Sequence, residues 1–327
     1  MFEKVLAELA GKERVLGESG RDGTEQKIAF TPLPAATSLK ACFVDGGNAP
    51  VFESPEVRVE YLRIYGTVYD GKERKTTEQV EGSVLVRRTV KDGKGYVAAR
   101  GYAPIELDIL IPDDDPGLRF GKERVSLGIV ANLARFVLEC RFLQQLGKKR
   151  GCALLVRDGP LIGNNEHEDK ALQALFGTGK QVAGLCKTNT KLTKHGGSAT
   201  AYLMERGPKQ PWIVSLESEE GVDINVVKLH ARSEYAFRLD TRGEREKRER
   251  TPTMNVKIAA SLVSVSADPA FYGYPYPLIE ADRMARVTNR EIDTLRMRFR
   301  AEAGEGWKSL ERMARGSDAH SVLDRMG

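Results

Sequence analysis

The chain has 327 residues, of which 41% are apolar and 30% charged, with a net charge of +5. A core of useful size is available, so wholesale disorder is excluded, and the length suits one large domain or two ordinary ones. The four cysteines (Cys42, Cys140, Cys152, Cys186) lack C-x-x-C spacing and His167, His195, His230 and His320 are scattered, which excludes a zinc signature and leaves buried free thiols in a reducing compartment.

In chain order, Phe2, Val5, Leu6 and Leu9 share one face of an N-terminal helix. Its charged start is not that of a signal peptide, and no apolar run approaches the about 20 residues that cross a bilayer, so a cytoplasmic protein without a membrane segment is expected. Leu39 to Gly47 predicts a short buried strand that stops at Asp45-Gly46-Gly47. The two glycines would let a backbone, a phosphate or a metal come close to Asp45. Val57 to Val68 predicts a second strand. Ser83 to Val90 and Gly95 to Ala99 flank Lys91-Asp92-Gly93-Lys94, a hairpin signal. Asp113-Asp114-Asp115, between prolines, reads as a solvated loop.

Val125 to Leu146 predicts a long helix with apolar residues on two sides. Glu139 lies on one apolar stripe, where a carboxylate is costly without a partner. Arg135, one turn earlier, is a possible one. Gly151 to Asp158 predicts a buried strand that repeats the form of the first: apolar run, Asp158, Gly159. A short helix follows over Asp169 to Phe176, then a strand over Val182 to Cys186. Lys187, Lys191 and Lys194 then form a basic loop with Gly and Thr. Gly177-Thr178-Gly179-Lys180 lacks the first Gly and the Ser or Thr of a phosphate-binding loop, so no ATP site is expected. Tyr202 to Met204, Trp212 to Leu216 and Ile224 to Phe237 read as strands, and Thr241 to Thr251 as a solvated charged turn. Met254 to Val265 is of ambiguous period. Leu278 to Arg300 and Trp307 to Met326 read as helices.

Acids at two strand ends and one inside a buried helix suit an oxygen-liking divalent ion, Mg²⁺ or Mn²⁺. Two such ions about 3.5–4 Å apart can stabilise both the attacking and the leaving oxygen of a phosphodiester cleavage. Each acid also has a plainer reading. Asp45 and Asp158 could be turn residues, and Glu139 could serve only an ion pair with Arg135. Asp282 could pair with Arg283 or Arg286, and Lys187 could be a surface lysine.

Val44-Asp45-Gly46-Gly47, Arg157-Asp158-Gly159-Pro160-Leu161, Gly184-Leu185-Cys186-Lys187 and Gly273-Tyr274-Pro275-Tyr276-Pro277-Leu278 occur in this order. Together they resemble the NurA nuclease family. The resemblance implies an α/β, ribonuclease H-like mixed sheet flanked by helices. A nuclease domain over 39–290 would lie between helical extensions at 1–38 and 291–327. It implies a manganese-dependent deoxyribonuclease with two ions, for which Mg²⁺ could substitute. It further implies 5′–3′ exonuclease and single-strand endonuclease activity in DNA end resection and double-strand break repair, a homodimer, and a HerA-type hexameric ATPase as partner. Carried over position by position, Asp45, Glu139, Asp158 and Asp282 would be catalytic and hold the metal; Asp282 stands where family members often have His. Lys187, Lys191, Lys194 and Tyr274 would meet DNA. The terminal helices, the last with Trp307, Leu310, Met313 and Val322, are candidates for the dimer or ATPase contact. The alternatives are a structure-specific or RNA-directed nuclease on the same fold, and a catalytically silent DNA-binding adaptor.

Overall fold

The computed structural model describes residues 28–34, 39–116, 125–188, 197–242 and 252–315. The expected N-terminal helix, Lys191, Lys194, most of the charged turn and the end of the last helix lie outside these residues.

The strands are β1 (Thr31–Pro32), β2 (Lys40–Glu53), β3 (Val57–Asp70), β4 (Glu73–Lys91), β5 (Lys94–Gly101), β6 (Leu107–Pro112), β7 (Leu154–Asp158), β8 (Gln181–Cys186), β9 (Trp212–Glu219), β10 (Val222–Lys228) and β11 (Phe237–Arg242). The helices are α1 (Leu127–Arg150), α2 (Glu166–Phe176), α3 (Ala199–Arg206), α4 (Pro252–Val263), α5 (Tyr276–Ala285), α6 (Asn289–Ala303) and α7 (Trp307–Arg315). All eleven strands join one sheet in the order β1-β9-β10-β11-β8-β7-β2-β3-β4-β5-β6. Only β2–β7 and β7–β8 pair in parallel; the other neighbours are antiparallel. The expected mixed sheet flanked by helices is therefore present. None of the described helices is long and apolar enough to cross a membrane.

Both faces of the sheet are covered. On one, Cys42, Val44, Leu62, Ile64 and Leu155 pack with Val130, Ala134, Leu143 and Leu146 of α1. On the other, Ala41, Phe43, Leu154 and Val156 pack with Ile258 and Leu262 of α4 and Leu278 of α5. Helix α1 packs on the sheet and also against α2, whose Leu172 and Leu175 join the same core, which explains its two apolar stripes. That helix ends at Gly151, whose φ of 63° puts it in the left-handed region and lets its N–H reach the last-turn carbonyls. The β4–β5 hairpin turns at Asp92-Gly93 as expected, with φ of 51° and 74°. All four cysteines are buried and free.

Four expectations are corrected. Gly46 and Gly47 do not stop the first strand, because β2 runs on to Glu53 paired with β3. Tyr202 to Met204 belongs to helix α3, which starts where the Ser198 side chain accepts the N–H of Ala201. Of Ile224 to Phe237 only 224–228 is strand, in β10; 229–236 is a connection, and β11 begins at Phe237. Leu278 to Arg300 is two helices, because Arg286 is extended and Thr288 opens α6 with a capping box to Glu291. The ambiguous Met254 segment is helical, in α4. Trp307 packs against Phe52 of β2 and Phe299 of α6, within its own chain.

Candidate metal centre

Parallel pairing of β2 with β7 sets Val44 opposite Arg157, so Asp45 and Asp158 follow side by side. Side chains alternate between the faces of a strand. Asp45 and Asp158 therefore share the α5 face with Phe43 and Val156, while Gly46 and Arg157 turn towards α1. Asp282 reaches the same place from α5. One carboxylate oxygen from each of Asp45, Asp158 and Asp282 lies within 4.8 Å of the others.

Helix α5 is fixed by Glu280, one of the positions sequence reasoning missed. Its buried carboxylate accepts from Tyr65 Oη at 3.1 Å, Tyr69 Oη at 3.0 Å and Arg74 Nη1 at 2.7 Å. The glycines of β2 admit both helices. A Cβ on Gly47 would stand 2.2 Å from the carbonyl oxygen of Ala285, and one on Gly46 would stand 2.6 Å from Glu139 Oε1.

Lys187 lies inside the cluster. Its Nζ donates to Asp282 Oδ1 at 2.8 Å and lies 2.8 Å from Asp158 Oδ2. Burial disfavours the Lys187 charge, but Asp158, Asp282 and Asp45 outweigh it and hold the ammonium above its usual range. Burial likewise disfavours the Asp282 carboxylate, and Lys187 and then Arg286 overcome it, so this carboxyl is held low. For Asp45 the Gly46 N–H and the Lys187 charge do not overcome it. Burial, then the charges of Glu139 and Asp158, push its carboxyl up to about 8. Its Oδ1 accepts only a local bond from Gly46 N–H at 2.7 Å among those described.

Glu139 is not one of the three converging carboxylates. It belongs to α1, on the other face of the sheet, where Arg157 Nη2 donates to its Oε2 at 2.7 Å. Arg135 Nε stands 3.7 Å from its Oε1. In this fold Glu139, expected as a fourth ligand, pairs with Arg157 as well as with Arg135. Arg157 is itself buried, lies over the ring of Phe136 and donates to the Pro160 carbonyl. A basic residue inside the run Leu-Leu-Val-Arg-Asp was the available signal for this pair.

Tyr274, expected at DNA, is 2% exposed and has no free ring face for a base. Its ring packs on Phe237 and Phe271. Its hydroxyl is buried without a well-directed hydrogen bond, and burial with the nearby charge of Asp158 holds the phenol well above its usual range.

These residues fit a divalent cation. The donors are all carboxylate oxygens, the choice of Mg²⁺ and Mn²⁺. Asp158 Oδ2 is buried without a well-directed hydrogen bond, and Asp45 feels the Lys187 charge but makes no described salt bridge. A cation among the three would satisfy both.

A family model described as the NurA domain matches residues 39–287. No curated protein matches the chain. Among solved structures, the NurA nuclease from Sulfolobus solfataricus aligns with a TM-score of 0.57 at 13% identity, covering 94% of this chain and 98% of that one. A NurA bound to dAMP and manganese aligns with a TM-score of 0.52 at 9% identity, covering 88% and 93%. The catalytic domain of human endonuclease V gives 0.40 at 12% identity, covering 92% and 98%. At these identities the likeness to the two NurA structures is one of fold.

Proposed function

The chain belongs to the NurA nuclease family, and on that premise we propose that it is a divalent-metal-dependent phosphodiesterase that cuts DNA. The observation that carries this reading is the meeting of Asp45, Asp158 and Asp282 where the end of β7 lies parallel to the middle of β2. These three would hold the ion, Mn²⁺ or in its place Mg²⁺. A divalent ion supplies Lewis-acid charge to a phosphoryl oxygen and lowers the pKa of a water.

The chain's own groups divide the remaining work. Glu139 and Arg157 lock α1 against β7 behind the site. Lys187 keeps Asp158 and Asp282 together, and it is the nearest described cation for a scissile phosphate. Because its ammonium already bridges two of the acids, the cluster as it stands suits one ion, and the second ion of the family pattern requires Lys187 to move. Lys191 and Lys194 extend this basic segment in sequence and are proposed phosphate contacts.

Family membership also supports the finer reading: 5′–3′ exonuclease with single-strand endonuclease activity, a homodimer, and end resection in double-strand break repair with a HerA-type hexameric ATPase. The test is digestion of end-labelled single- and double-stranded DNA with Mn²⁺, Mg²⁺ or EDTA, by wild type and by Asp45→Asn. Cleavage that needs the ion and Asp45 is expected. Cleavage in EDTA, or by the variant at wild-type rate, would remove the three carboxylates from the reaction. Light scattering and co-elution with a HerA-type hexamer address the assembly.

A further inference from the structure

One surface outside the carboxylate cluster has unusual chemistry. Tyr235 is 55% exposed and Phe271 40% exposed, and their rings stack with centroids 5.6 Å apart at 17°. Beside them, His230 and Tyr272 stack at 4.6 Å and 9°, with the Arg232 guanidinium 5.6 Å from the Tyr272 ring. Arg232, Tyr235, Phe271 and Tyr272 line a cleft of about 260 Å³. A half-exposed aromatic pair wastes apolar burial unless something covers it.

The cleft is held in shape by the fold. Gly273, at φ +94°, passes so close to Ser233 that a Cβ would stand 2.3 Å from its Oγ. Arg232 Nη1 donates to Tyr272 Oη at 3.3 Å, and Ser233 Oγ donates to the Tyr235 carbonyl at 2.8 Å. Two separate turns, 230–235 and 269–273, are thereby joined before any ligand arrives.

The cleft also borders the proposed reaction site. Phe271 meets the ring of Tyr274 edge-on at 6.4 Å, and the Tyr274 hydroxyl is buried beside Asp158. One ring therefore separates the exposed stack from the carboxylates.

We infer that this cleft stacks unpaired bases of a single nucleic-acid strand and so presents the neighbouring phosphate to Asp45, Asp158 and Asp282. The inference rests on the nuclease reading above and names what that site selects. Flat faces with an arginine beside them are the chemistry of sequence-tolerant single-strand binding. Paired bases inside a duplex have no face to offer. Glu234 also lines the cleft, and a carboxylate there suits bases better than phosphates.

The test uses the full chain in EDTA, so that binding is read without cleavage. The probe is a fluorescein-labelled oligo(dT) followed by anisotropy, with a duplex of equal length as comparison. Tyr235→Ala and Phe271→Ala should each weaken single-strand binding by roughly 5- to 100-fold, the loss of one stacked base. Duplex binding should change far less. Tyr235→Trp should retain strand affinity. Mn²⁺ binding by calorimetry should be unchanged in Tyr235→Ala, whose exposed side chain is not needed for the fold.

Unchanged strand affinity in Tyr235→Ala with intact Mn²⁺ binding would overturn the inference. So would a variant whose only change is a lower mass in light scattering, which would make the cleft a protein interface. If wild type neither binds nor cuts DNA, the nuclease reading falls as well. If it cuts DNA and the variants bind strands normally, only the stacking cleft falls.

Discussion

The guanidinium of Arg157 donates to the carboxylate of Glu139 at 2.7 Å, and both side chains are buried. Each offsets part of the other's desolvation cost. Arg157→Met leaves the buried Glu139 carboxylate only the longer contact to Arg135, and should cost up to about 3–5 kcal/mol in urea unfolding. Arg157→Met with Glu139→Leu should recover most of that, because an apolar pair of similar volume needs no partner. A double variant no more stable than the single one would mean that Arg157 acts through Pro160 and Phe136 instead.

Gly47→Ala addresses the close approach of α5. The new Cβ would stand 2.2 Å from the backbone oxygen of Ala285, which cannot rotate away. The helix must shift, and Asp282 with it. Overpacking of this kind costs about 1–3 kcal/mol. A folded protein by circular dichroism with clearly weaker Mn²⁺ binding by calorimetry is the expected result. Normal affinity would show that Asp282 is not held by this contact.

How much of this was legible in the sequence depends on which contacts are local. Asp45 and Asp158 stood out because each follows an apolar run and precedes glycine, and the sheet does set them side by side. The same Gly46-Gly47 reads in sequence as the stop of a strand, since the helices that require small residues there lie far away in the chain. Glu139 was visible as a charge on an apolar stripe. That Arg157 answers it depends on strand parity, which turns residue 157 to the α1 face and residue 158 to the α5 face. The break between α5 and α6 was open to reading, because Thr288 and Glu291 spell a capping box. Tyr202-Leu203-Met204 offered too few residues to separate periods, and only the Ser198 cap favoured a helix. Tyr235 and Phe271 come together only in three dimensions, so no window of sequence contains their stack.

Lys187→Met tests whether the ammonium competes with the ion. Lys187 lies 2.8 Å from oxygens of both Asp158 and Asp282. Charge-assisted contacts of this type are worth about 1.5–3 kcal/mol, so removing them should tighten Mn²⁺ binding at least about tenfold by calorimetry. Cleavage should nevertheless slow, because the nearest phosphate partner is gone. Equal or weaker Mn²⁺ binding would mean that Lys187 and the ion do not share these oxygens.

Asp45 supplies the pH dependence. Its carboxyl in the metal-free fold is pushed up to about 8, by burial first and then by Glu139 and Asp158, against about 3.9 in an unfolded chain. Between these values the native state holds a proton that the unfolded state has released. Stability therefore falls as pH rises from about 4 through about 8 in metal-free protein, as far as this group is concerned. The ion reverses the sense, since it binds the carboxylate and must expel the proton. Thermal unfolding at pH 6 and pH 8, in EDTA and in MnCl₂, separates the two. Mn²⁺ should raise the midpoint much more at pH 8 than at pH 6. Asp45→Asn should be more stable than wild type in EDTA at pH 8, less so at pH 6, and should lose most of the Mn²⁺-induced rise at both. A wild-type Mn²⁺ shift independent of pH would show that Asp45 is already ionised without metal.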